Sequence, residues 1–105
     1  MVGAFLPGAR GTQQCANCEA QVIQSDRYPA YLCGACENRA VDADGARVVG
    51  TNASPTGGFI LSWPDGEHPP QQTGRAHVWV DGREWEWIEA RFGGTLIVPL
   101  DWMTW

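Results

Sequence analysis

Apolar positions along the chain come in short runs separated by turn-forming residues, the pattern of small strands and not of long amphipathic helices. The clearest case is Arg75 to Ile88, where two alternating segments flank Asp81-Gly82, a two-residue type I′ hairpin signal. A loop of that length sets Val80 opposite Arg83, Trp79 opposite Glu84, Val78 opposite Trp85, His77 opposite Glu86 and Ala76 opposite Trp87. Directly opposed residues share a face. Ala76, Val78, Val80, Trp85 and Trp87 are therefore expected in the core. His77, Trp79, Glu84 and Glu86 are expected on a wet face.

Other short runs read as strands in the same way. Val22-Ile23 and Tyr28 to Leu32 flank a Ser25-Asp26-Arg27 turn, with Pro29 holding the second run to an edge. Arg47 to Val49, Phe59 to Trp63 and Leu96 to Leu100 follow, the last ending near Pro99. Residues 65–75 read as a polar loop, residues 37–41 as one helical turn, and residues 88–92 as a further turn closed by Gly93-Gly94. Residues 1–14 read as an N-terminal arm with Phe5 and Leu6 as anchors, residues 15–40 as a metal unit, and residues 46–105 as a sheet region, within one domain. The fold expected is mainly β, with little helix.

The metal assignment rests on spacing. Cys15-x2-Cys18 and Cys33-x2-Cys36 are separated by fourteen residues, close to the roughly 15–20 that separate the pairs of a four-cysteine zinc site. Two cysteines three apart in a tight turn present both sulfurs to one ion, and the intervening chain is long enough to return the second pair. Two disulfides would need an oxidising compartment. Residues 1–10 lack the basic start and apolar length of an export signal, so a cytoplasmic location is expected. A redox Cys-x-x-Cys would come singly on a βαβ background. Iron remains the rival ion, although the glycine usual after each pair of a rubredoxin-type site is replaced by Glu19 and Glu37. One structural Zn²⁺ on Cys15, Cys18, Cys33 and Cys36 is the expectation, and a core this small needs it.

With strand–turn–strand patterning between them, the two cysteine pairs resemble the zinc-ribbon class. The string from Arg27 through Tyr28, Pro29, Tyr31 and both Cys33 and Cys36 to Arg39-Ala40 and Asp42, with Gly57-Gly58-Phe59 and Glu89 to Gly94 later, also resembles small bacterial zinc-ribbon proteins. The resemblance implies a fold stapled by metal and no particular activity.

Charge narrows the partners. The chain carries −5 at pH 7, and all seven basic residues are Arg, spread along its length. Four thiolates and one divalent ion would lower the total to about −7. That is a poor start for phosphate binding, which depends on clustered cations. Single-stranded nucleic acid, read through aromatic stacking, is the third-ranked function. No apolar run approaches the ~20 residues of a membrane helix, so no membrane role is expected.

A four-thiolate site leaves no coordination position for substrate, so catalysis would have to come from elsewhere. His77 and Glu86, with Glu84 adjacent, could form a base and its orienting carboxylate; a small-ligand protein or enzyme using that face is the second-ranked reading. His68 reads as a solvated loop residue, and Ser54 and Ser62 lack a neighbouring His. The six tryptophans are a surplus for 105 residues. Trp63 is expected in the core. Trp79, Trp102, Met103 and Trp105 are left as a candidate partner-binding cluster. The first-ranked function is thus a zinc-stabilised, non-catalytic binding or adaptor protein that acts through a protein partner or a second copy of itself.

Overall fold

The computed structural model describes residues 11–90 and 93–104. They form a mainly β protein of three small antiparallel sheets. β1 (Thr12–Gln14) pairs with β2 (Gln21–Ile23), and a single helical turn, α1 (Gly34–Glu37), follows. β3 (Val49–Thr51), β4 (Phe59–Ser62) and β5 (Gln71–Thr73) make the second sheet, with β4 central. β6 (Arg75–Val80), β7 (Arg83–Glu89) and β8 (Thr95–Val98) make the third, with β7 central, and a 3₁₀ helix at Trp102–Thr104 follows. Among the described residues no helix is long and apolar enough to cross a membrane.

The β6–β7 hairpin has the register read from the sequence, from Ala76 opposite Trp87 to Val80 opposite Arg83. Asp81 and Gly82 both take positive φ, 53° and 81°, as a type I′ turn demands. Val78, Val80, Trp85 and Trp87 are buried in the main core with Val48, Phe59, Leu61 and Ile97. Gly50 lies where the Trp87 indole presses on β3: a Cβ there would stand 2.6 Å from the ring.

The opposite face of this sheet is wet at His77 and Glu84, which are exposed, and covered at Glu86, with Trp79 half-buried between them. Glu86 is only 4% exposed, and Ile88 and Val98 join Tyr28 in a second apolar cluster, with Tyr31, Leu96 and Trp102 at its edge. The hairpin pattern identifies two faces but carries no information on what distant segments cover. Here the Tyr28–Tyr31 stretch and the 3₁₀ helix do so, with the Tyr28 and Trp102 rings 6.4 Å apart.

Four further expectations change. Tyr28 to Leu32 forms no strand; Leu32 N–H bonds to Ile97 O, and the segment sends Tyr28 to one core and Leu32 to the other. β2 pairs instead with β1, drawn from the end of the expected arm. Gln71–Thr73, expected within a polar loop, forms β5 against β4. Ile88 and Glu89 extend β7 in place of starting a helical turn, and Arg91 and Phe92 of that expected turn lie outside the described residues.

Candidate metal centre

The β1–β2 connection carries Cys15 and Cys18. Cys15 N–H bonds to Ala20 O and Glu19 N–H to Cys15 O, folding the turn so that both thiols face one way. Glu19 has φ 68°, the left-handed conformation that glycine supplies after the second cysteine of the commonest zinc knuckle. At the second pair, Cys33 caps α1 and Cys36 lies within it, so Glu37 continues the helix and needs no left-handed turn. The one knuckle glycine the backbone calls for is missing; the other is not required.

The four sulfurs lie within 4.8 Å of one another. Cys15 Sγ to Cys36 Sγ is 3.7 Å and Cys18 Sγ to Cys33 Sγ is 3.6 Å. A tetrahedron with metal–sulfur bonds of about 2.3 Å has edges of about 3.8 Å, so these separations suit one tetrahedral ion. All four cysteines are free thiols, far from the about 2.05 Å of a disulfide. The cluster is therefore placed to hold one metal ion.

Hydrogen bonds surround half of the cluster. Cys15 Sγ accepts N–H groups of Cys33, Asn17 and Cys18 at 3.2, 3.4 and 3.5 Å. Burial opposes ionisation of Cys15, but the N–H groups of Cys18, Cys33 and Asn17 overcome it and bring the thiol down to about 6. Cys36 Sγ accepts from the Asn17 amide at 3.4 Å and Arg39 Nη2 at 3.3 Å. Burial pushes Cys36 up to about 12; the Asn17 amide opposes this and the three neighbouring thiols add to it. A cation bound by this sulfur would displace its proton to solvent, so metal capture would be coupled to proton release. Burial also raises the half-buried Glu37 carboxyl to about 7.

Asp81 is the functional residue the sequence reading missed. From the hairpin turn its carboxylate accepts Arg39 Nε and Nη2 at 3.0 and 2.9 Å and the Asn17 amide at 2.8 Å. Arg39 and Asn17 are the two side chains that donate to Cys36, so the tip of the third sheet braces the cysteine cluster. The only sequence signal at Asp81 was its fitness for a type I′ turn, which accounts for the residue without the contact.

The other candidates do not form a single site. His77 Nδ1 lies 2.7 Å from Glu84, diagonally across the hairpin. Glu86, directly opposite His77, is withdrawn into an ion pair with Arg75 at 3.0 Å and accepts the Trp102 indole N–H at 2.9 Å. Trp79 is half-buried and its backbone bridges to Val41. Trp102 is half-buried over Glu86, Met103 is 66% exposed, and Trp105 lies outside the described residues. His68 stacks on the half-buried Trp63 with ring centroids 5.1 Å apart, and Trp63 donates to Asp42 at 2.9 Å.

Fold and site together define a small β protein built around four cysteines placed for one metal ion. Comparison with protein families, curated proteins and solved structures finds no match to this chain.

Proposed function

We propose that this chain is a zinc-stabilised, non-catalytic binding protein of the zinc-ribbon type that acts through a protein partner, a second copy of the chain included. The observation that carries the reading is the closed set of four thiols at tetrahedral spacing. Four thiolates saturate the ion, so the metal staples the fold and binds no substrate. Zinc is preferred to iron because the cysteine spacing is close to that of a zinc site, and a reducing, cytoplasmic setting suits four free thiols.

The proposed contact surface is narrower than the tryptophan cluster suggested. Trp79 and Trp102 are partly packed, whereas Leu100 and Met103 are 46% and 66% exposed on the C-terminal segment. Exposed large apolar side chains close together in sequence suit an interface. Metal analysis of the purified protein should give one zinc per chain; iron, or no metal in a folded sample, would overturn the staple. Replacing Leu100 and Met103 with Ser should abolish association in sedimentation while leaving zinc content unchanged. Unchanged association would move the interface elsewhere.

A further inference from the structure

The four sulfurs fall into two unequal pairs. Cys15 and Cys36 are 1% and 0% exposed and belong to the main core. Between them they accept N–H groups from Asn17, Cys18 and Cys33 and from the Asn17 and Arg39 side chains. Cys18 is exposed and Cys33 half-buried, with their sulfurs 3.6 Å apart. Among the described residues no N–H group is directed at either of these two sulfurs. Donors that stabilise negative charge on sulfur lower its nucleophilicity, and susceptibility to oxidants follows exposure and thiolate character. With zinc bound, all four sulfurs are thiolates. What distinguishes them is then access and hydrogen bonding, and both favour the same pair.

We propose that Cys18 and Cys33 form a peroxide-sensitive modification site on the open side of the metal centre, which releases zinc when it closes to a disulfide. The proposal rests on the zinc reading above. The Cys18 thiolate attacks a peroxide oxygen: the S–O bond forms, the O–O bond breaks, and hydroxide leaves to take a proton from solvent. The Cys33 thiolate then attacks the Cys18 sulfur: the S–S bond forms, the S–O bond breaks, and a second hydroxide leaves and is protonated. Two electrons pass from the two sulfurs to hydrogen peroxide, which ends as two waters. A zinc ion held by the four cysteines would keep only Cys15 and Cys36 as ligands and would be released. Closing the pair takes the sulfurs from 3.6 Å to about 2.05 Å. A disulfide within either Cys-x2-Cys pair would instead pull Cys15 or Cys36 away from its N–H donors and out of the core.

The test uses the full chain carrying zinc, with hydrogen peroxide as the probe. Zinc release is followed with a chromogenic chelator, and cross-links are mapped by mass spectrometry after alkylation of the remaining thiols. The expected result is loss of the one zinc together with a dominant Cys18–Cys33 cross-link, Cys15 and Cys36 remaining alkylatable. Cross-links within Cys15–Cys18 or Cys33–Cys36, an even mixture of pairings, or retained zinc with four reduced cysteines would each overturn it. A chain that neither carries nor accepts zinc fails earlier, at the metal assay, and takes the proposed function and this inference down together. Wrong cross-links on a zinc-loaded chain remove this inference alone.

Discussion

The segment from residue 11 to residue 40 and the β6–β7–β8 sheet are ordered by different means. The first has two three-residue strands and a four-residue helix, with four cysteines as its common focus. The second has strands of six, seven and four residues, a tight hairpin and apolar packing on both sides of its central strand. Backbone pairing and burial are what shape the sheet. The cysteine segment has few such bonds, and metal–thiolate bonds are the strongest constraint its residues can provide. The two regions are still not independent, because Cys15, Leu32, Cys36 and Ala40 share one core with Val78, Val80, Trp85 and Trp87.

The largest effect should come from Cys36→Ser. It removes a buried ligand, and zinc binding in small peptides is worth of order 10 kcal/mol of folding energy. The loss should therefore exceed the ~0.5–3 kcal/mol of an ordinary substitution. Because the core is shared, tryptophan fluorescence and metal release should change in a single thermal transition. Two separate transitions would show that the sheet stands without the cysteine segment.

Within the sheets, Gly50→Ala should lower stability by about 1–3 kcal/mol through overpacking. The new methyl would meet the Trp87 ring at 2.6 Å and the Phe59 ring at 2.8 Å. Denaturant unfolding measures it, and the metal content should remain that of the parent. In the cysteine segment, Glu19→Gly should act in the opposite direction. It relieves about 1–2 kcal/mol of left-handed strain and gives back part of that as unfolded-state entropy, for a net gain of about 0.5–1 kcal/mol. A melting temperature unchanged or lowered by that variant would mean the knuckle is not strained.

The smallest effect on stability belongs to Asp81→Asn, which tests the link between the two regions. Asn suits a type I′ turn as well as Asp does, so the hairpin should keep its melting behaviour. The Arg39 and Asn17 donors to Cys36 would lose their anionic brace. Zinc transfer to a competing chelator should accelerate, by up to about tenfold, the lower end of what outer-shell changes at metal sites produce. An unchanged transfer rate would show that the two regions merely touch.

The same division explains what could be read from the sequence. The hairpin register followed from Asp81-Gly82 and the alternation around it, because both are local signals. The cysteine cluster followed from spacing, which is local within each pair. β1 and β5 were missed because Thr12-Gln13-Gln14 and Gln71-Gln72-Thr73 have no apolar alternation to detect; each is a short polar strand laid on an edge. Glu86 was assigned to solvent because its cover, Trp102, and its partner, Arg75, lie sixteen and eleven residues away along the chain. The clamp of Asp81 on Asn17 spans sixty-four residues and leaves no mark in either neighbourhood.

That long clamp also orders events in time. All four ligands lie within the first thirty-six residues, while the residue that braces them belongs to position 81. A chain emerging from the ribosome exposes a complete set of thiols well before the hairpin exists, since roughly 5–20 residues are added each second. A metal ion captured during that interval would meet the four thiols without the Asp81 brace. An ion held there would gain the Asp81 brace on Arg39 only once β6 and β7 have paired. Contacts of such high sequence separation form late because a long loop must first be closed. The brace on the cysteine cluster thus waits on the synthesis of a distant turn.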